Sequence, residues 1–243
     1  MGLINRLLER RKELKRQPCT VIVPAAGSST RMGTDKVLMP LDGIPVLIRT
    51  LQILERCPEV TEIIVVTRED LIVPVSQLCR DAGLNRVHKI IRGGATRAES
   101  VLAGIREADP GAELIAIHDA ARPLVTEEII AETIRTASKR GAAAPAVPVK
   151  DTIKRAVDGV VQETPNRAEL FAVQTPQVFE HGLILGALEK AVEEGAPITD
   201  DCSAVERLGM PVVLTEGSYE NIKLTTREDV VMAEAILERR GQA

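Results

Sequence analysis

With 243 residues, 44% of them hydrophobic and 27% charged, the chain can bury one large core and has the composition of an ordinary globular protein. Its net charge of -4 gives no reason to expect a nucleic-acid or membrane partner, and no apolar run reaches the ~18 residues of a transmembrane helix. Cys19, Cys57, Cys79 and Cys202 and the three His lack zinc-site spacing, so the cysteines read as free thiols in a reducing compartment.

In residues 1–16, Leu3, Ile4, Leu7, Leu8 and Leu14 recur at helical spacing among basic side chains. This predicts an amphipathic N-terminal helical extension packed on the domain, or else a membrane-surface or anion-binding helix. Arg6, Glu9 and Arg10 interrupt any signal-peptide core, which predicts a cytoplasmic protein, or a plastid stromal one in a eukaryote. Short β-branched runs at 20–23, 62–67, 87–91, 114–118, 142–148 and 212–215 predict strands. Helical patterns lie near 45–57, 73–82, 96–108 and 126–140. Thr126 before Glu127 and Glu128, Gly141 after Lys139 and Arg140, and Thr226 signpost helix ends. The alternation predicts an α/β fold, a Rossmann-like, mostly parallel sheet flanked by helices. It breaks between Val149 and Gln177, where short alternating stretches are separated by Asp158-Gly159 and Thr164-Pro165-Asn166. That predicts a protruding β-arm at about 149–177 within a single domain spanning 1–243.

Two strand ends carry candidate chemistry. The first runs into Pro24, Ala25, Ala26, Gly27 and Ser28, with Arg31 and Lys36 on the far side of the loop. Small residues let backbone N–H groups wrap an anion, and two cations suit a triphosphate. Neither a P-loop nor GxGxxG is present, and a tight turn with two solvated cations reads equally well. The fourth strand ends in His118-Asp119-Ala120-Ala121-Arg122-Pro123. A carboxylate there can hold Mg²⁺ or accept a hydrogen bond from a ribose or substrate hydroxyl; the plainer alternative is that Asp119 caps a turn. His118 reads as a strand residue with a satisfied side chain, and without GxSxG a serine hydrolase is not supported.

PAAGSSTRMG followed by Lys36, GGATRAES at 93–100, HDAARP at 118–123 and VPVKDTIKR at 147–155 occur in that order. They are followed by Asn166-Arg167, QTPQ at 174–177, ITDD at 198–201 and NIKLTT at 221–226. Together, from about Cys19 to about Ala235, they resemble the 2-C-methyl-D-erythritol 4-phosphate cytidylyltransferases of the non-mevalonate isoprenoid pathway. The resemblance implies transfer of CMP from CTP to methylerythritol phosphate, with release of diphosphate. It implies that Arg31 and Lys36 stabilise the pentacoordinate phosphorus and that Pro24, Ala25, Ala26, Gly27 and Ser28 cradle CTP. Gly94 and Ser100 would read cytosine, and Asp119 and Ala120 would lie against the ribose and phosphates. Mg²⁺ or another divalent cation would sit mainly on the CTP phosphates, with Asp119 as its protein ligand. Thr199 and Lys223 would hold the acceptor, and Arg122, Thr152 and Arg167 would approach it from the partner subunit of a homodimer with exchanged arms. Asp35, Ala95 and Phe171 depart from the proline, acidic residue and tryptophan common at those positions. The rivals are a ribitol-5-phosphate cytidylyltransferase, against which Ala26, Ala120-Ala121 and Lys154-Arg155 lean, and a catalytically inactive nucleotide-binding regulator. The presence of Arg31, Lys36, Asp119 and Lys223 argues against the latter.

Overall fold

The computed structural model describes residues 17–27 and 37–241. The 1–16 segment, Ser28, Arg31 and Lys36 lie outside the described residues. In chain order come β1 (Cys19–Pro24), a small hairpin of β2 (Pro40–Leu41) and β3 (Ile44–Pro45), then α1 (Val46–Arg56) and β4 (Val60–Thr67). Next are α2 (Ile72–Asp81), β5 (Val87–Arg92), α3 (Arg97–Arg106), β6 (Leu114–Ile117), α4 (Glu127–Arg140) and β7 (Ala142–Pro148). A second hairpin, β8 (Arg155–Val157) and β9 (Val160–Glu163), precedes β10 (Phe171–Val173) and β11 (Gln177–Glu180). The chain closes with α5 (His181–Glu193), α6 (Asp201–Glu206), β12 (Val213–Glu216) and α7 (Arg227–Arg240).

Eight strands make the central sheet, along the path β10-β7-β11-β6-β1-β4-β5, with β12 also paired to β7. Strand β1 lies between β4 and β6, parallel to both. Strands β10 and β11 run against the common direction. Ala143 pairs with both Val178 and Val213, and Ala146 with both Val173 and Glu216. One edge of β7 therefore meets β12, and the other meets β11 and β10 in succession.

The α/β alternation predicts this mixed, mostly parallel sheet because its strands are apolar on both faces. Val21 and Val23 of β1, with Ile63 and Val65 of β4, join Leu47, Leu51, Ile130 and Ile134 in one buried cluster. Ile22, Ile64 and Val66 point the other way, into a cluster with Val101, Ile105, Phe179, Ile184 and Leu188. A period of two on strands and 3.6 on the covering helices gives both layers. Gly104 brings α3 close to this second face: a Cβ there would stand 2.6 Å from Cγ2 of Ile22 and 3.0 Å from that of Val66. Larger residues at 104 would push α3 off the sheet.

Three parts of the fold depart from the sequence expectation. Periodicity does not separate the stretch from β11 to α6 into elements, nor does it mark the hairpin of β2 and β3. Strand β11 is four residues long with polar ends, too short to show alternation. It is nevertheless central, antiparallel between β6 and β7. Residues 149–170 leave the sheet, carrying the β8–β9 hairpin and a 3-10 turn at Arg167–Glu169, and the sheet resumes at Phe171. Its root is closed by Val149 N–H to Leu170 O at 3.0 Å and Tyr219 Oη–H to Pro148 O at 2.7 Å.

Candidate active site

The strand order reverses beside β1: β4 and β5 lie on one side, β6 on the other. The carboxyl ends of strands at such a reversal leave a crevice, because the flanking connections diverge to opposite faces. A cavity of about 390 Å³ occupies this place. Pro24, Ala25, Ala26 and Gly27 form one wall, with Val37 beside them. Gly94 to Arg97 with Ser100, at the start of α3, form a second, and Asp119, Ala120, Ala121 and Lys223 a third.

The second wall is fixed by its own hydrogen bonds. Thr96 caps α3 in a reciprocal capping box with Glu99. The Glu99 carboxylate accepts the N–H groups of Ala95 at 2.6 Å and Thr96 at 3.1 Å. The positive helix terminus is thereby already neutralised, so this turn suits an uncharged group rather than a phosphate. Ser100 Oγ accepts the Gly94 N–H at 3.1 Å and donates to Thr96 O at 2.8 Å. A Cβ on Gly94 would collide with the Glu99 side chain, so only glycine lets the turn fold this tightly. In the first wall the Ala25 N–H is engaged with Val66 O at 2.7 Å. Ala25 therefore offers a ligand its small side chain rather than its N–H.

The third wall is electrostatic. Asp119 is 8% exposed, and its Oδ2 meets Lys223 Nζ and Arg122 Nε, each at 3.1 Å. Burial alone would raise its pKa, but Lys223 and Arg122 outweigh burial and hold the carboxyl below its usual range. Arg122 Nη1 also donates to Asn221 O at 2.7 Å. Behind Asp119, His118 Nε2 faces Arg122 O at 3.2 Å. A carbonyl can only accept, so Nε2 carries the hydrogen. Nδ1 then accepts from Thr175 Oγ1 at 3.1 Å, whose oxygen accepts the Asp119 N–H at 3.0 Å. Burial lowers the His118 pKa to about 4, leaving a neutral strut with both nitrogens satisfied.

Nine of the candidate residues line this one cavity: Pro24, Ala25, Ala26, Gly27, Gly94, Ser100, Asp119, Ala120 and Lys223. Arg122 stands beside them, with its guanidinium committed to Asp119 of its own chain. Thr199 lines an adjoining cavity of about 360 Å³, which shares Thr96 and Arg97 with the first. Thr152 and Arg167 are exposed on the arm, where Arg167 Nη1 donates to Lys150 O at 2.9 Å. Neither lines the cavity.

Arg97, Thr175, Gln177, Asp201 and Asn221 lie within the family-like motifs, but their roles are not legible from the sequence. Asn221, fully buried, donates through Nδ2 to Gln174 Oε1 at 3.2 Å and Thr175 O at 3.0 Å. It thereby ties the segment bearing Lys223 to the one bearing Thr175. Their presence in polar motifs at strand and helix ends was the available signal; their partners, 23 to 104 residues away, were not.

The sequence profile of the 2-C-methyl-D-erythritol 4-phosphate cytidylyltransferases (IspD) matches residues 19–239. The protein of that name from Desulforamulus reducens is 47% identical over 224 residues, covering 90% of this chain and 96% of the relative. Its namesake from Caldanaerobacter subterraneus is 46% identical over 228 residues, with 90% and 99% covered. Among solved structures, the 4-diphosphocytidyl-2C-methyl-D-erythritol synthase of Anaerococcus prevotii superposes with a TM-score of 0.84 at 33% identity, covering 94% of this chain and 99% of that one. The Thermus thermophilus 2-C-methyl-D-erythritol 4-phosphate cytidylyltransferase gives 0.75 at 30% identity, covering 90% and 98%. Agreement over nearly the full length, in sequence and in fold, assigns this chain to the 2-C-methyl-D-erythritol 4-phosphate cytidylyltransferase family.

Proposed function

We propose that the cavity at the ends of β1 and β6 binds CTP, that Mg²⁺ accompanies it, and that a homodimer with exchanged arms completes the acceptor site. The reaction itself follows from family membership: CMP passes from CTP to 2-C-methyl-D-erythritol 4-phosphate, giving 4-diphosphocytidyl-2-C-methyl-D-erythritol and diphosphate for isoprenoid precursor synthesis. The observation that carries the site assignment is the division of the cavity. A self-capped, neutral turn with Gly94 and Ser100 faces a charged wall of Asp119 and Lys223, matching a base at one end and phosphates at the other.

An acceptor phosphate oxygen attacks the α-phosphorus in line, the new P–O bond forms, and the bond to the β-phosphate breaks. A phosphate monoester is already nucleophilic near neutral pH, so positioning and charge stabilisation carry the rate. Arg31 and Lys36 act on the charge that develops at phosphorus. Gly94 and Ser100 hold the base against the wall of Pro24, Ala25, Ala26, Gly27 and Ser28. Asp119 and Ala120 support the ribose, and Lys223, oriented by Asp119, meets the acceptor with Thr199. Arg167 of the partner subunit and Thr152 of the partner subunit close the site from the arm. Arg122 orients Asp119 within its own chain and, as the family resemblance implies, would also approach the acceptor bound by the partner subunit.

The donor set suits Mg²⁺. Both neighbouring cations fall on Oδ2 of an ionised Asp119, and Mg²⁺ is commonly held by one carboxylate together with substrate phosphates. Among the described residues no cluster of three or more ligating side chains occurs, so the triphosphate would supply most of the ligands. Bound there, Mg²⁺ would neutralise charge on the departing diphosphate. No helix among the described residues is long and apolar enough to cross a membrane, and we assign the enzyme to the cytoplasm. Diphosphate release from CTP and Mg²⁺ with methylerythritol phosphate, compared with ribitol 5-phosphate, tests the reading. Preference for ribitol 5-phosphate, or no release with either acceptor, would overturn it.

A further inference from the structure

The two cavities meet at Thr96 and Arg97. Arg97, in the first turn of α3, lines both. Its guanidinium forks onto Asp201, with Nη1 to Oδ1 at 2.9 Å and Nη2 to Oδ2 at 2.6 Å. Asp201 is 0% exposed. It opens α6, two residues beyond Thr199. The same stretch is gripped from the sheet by Gln177 of β11. Its Oε1 accepts the N–H groups of Asp201 and Cys202, both at 3.0 Å, and its Nε2 donates to Asp200 Oδ2 at 2.8 Å. Residues 199–202 are thus fixed from two directions, by β11 and by the helix that opens at the base-reading turn.

A planar fork sets direction as well as distance, which a lysine ammonium does not. Asp201 is buried while the Arg97 side chain stays 38% exposed, and desolvating the carboxylate offsets much of the Coulomb gain, so the pair is a weak source of net stability. Burial raises the Asp201 carboxyl above its usual range, and the Arg97 fork works against that rise. The position of the pair, between two cavities, accounts for it better than stability does.

We propose that Arg97 and Asp201 are positioning residues for the acceptor substrate, locking the segment that carries Thr199 to the turn that reads the nucleotide. This rests on the assignment of Thr199 to the acceptor made above. The fork works through geometry: when residues 199–202 shift, CTP still binds, but the acceptor phosphate no longer lies in line with the α-phosphorus.

The test combines steady-state kinetics of the full chain, CTP titration without acceptor, and thermal melting. Arg97→Lys keeps the charge and loses the fork. It is expected to raise KM for methylerythritol phosphate about tenfold or more and to lower kcat, while Kd for CTP moves by less than about threefold. Arg97→Met leaves Asp201 buried and unpaired and should melt well below wild type. The double variant Arg97→Met/Asp201→Leu removes both charges, so it is expected to regain the melting temperature but not the acceptor KM. Recovery of KM along with stability in the double variant would show a merely structural pair and overturn the inference. An equal rise in CTP Kd and acceptor KM for Arg97→Lys would overturn it too. If wild type released no diphosphate, the underlying assignment would fail and take the inference with it. If wild type turned over while the double variant was kinetically normal, the inference alone would fail.

Discussion

Around Asp119, charged side chains are held by buried partners at 3.1 Å or less, from two segments of the same chain. Around Arg167, the chain supplies a two-stranded hairpin whose Val157, Val160 and Val161 are each more than half exposed. The first region reaches its geometry with no help from a second molecule. The second region is weaker on its own: two strands alone are marginal, and apolar side chains left in water favour docking on another surface. On the assignment proposed above, one chain supplies most of the nucleotide site and only part of the acceptor site. In the homodimer proposed above, the arm completes the partner's site.

Removing the loop cations should have the largest effect. If both act on charge that develops in the transition state, as proposed above, Arg31→Ala or Lys36→Ala should lower kcat by about 10²–10³, with CTP Kd nearly unchanged. A rise in KM for CTP at constant kcat would assign them to ground-state binding instead.

The buried region can be probed by pH. The His118 pKa is lowered from 6.5 to about 4 by burial. Between those values the unfolded chain binds a proton that the folded chain does not. Stability should therefore fall by about 3 kcal/mol as pH drops through that window. The Asp119 carboxyl, held below 3.8, loses its contribution only at lower pH. Urea midpoints from pH 7 to 4.5 should slope less for His118→Gln than for wild type. Parallel slopes would mean that the ring is not held neutral.

On the arm, Arg167→Ala should reduce kcat/KM for the acceptor by about ten- to a hundredfold, the cost of one charge-assisted contact. Mixing it with Lys36→Ala and allowing subunits to exchange should restore about a quarter of wild-type activity, since each mixed dimer has one site free of both lesions. No recovery would place Arg167 in its own chain's site. The smallest effect belongs to Val161→Thr, which should change single-chain stability by less than about 0.5 kcal/mol yet weaken dimerisation in sedimentation experiments. Equal dimerisation would remove the arm from the interface.

The strands 20–23, 62–67 and 142–148 were legible because each is a continuous β-branched or small apolar run, and such runs announce a sheet buried on both faces. The capped starts at Thr126 and Thr226 were legible because capping is local, and both side chains do cap their helices. Strand β11 was not, since four residues with polar ends carry no readable period. Of the site, the small-residue loop and the Asp at a strand end could be read as chemistry and joined through one nucleotide by the family resemblance, but their hydrogen-bond partners could not be read.

Sequence by itself determined the α/β class, the family, and the positions of Asp119 and Lys223 as functional candidates. These are properties of local composition, spacing and motif order. Only the tertiary structure decided that Lys223 and Arg122 share one oxygen of Asp119, that His118 is a neutral strut, and that Arg97 joins two cavities through Asp201. Those partners lie as many as 104 residues apart along the chain. What brings them together is the strand order and the packing of helices on both faces of the sheet, long-range geometry that no single stretch of sequence encodes.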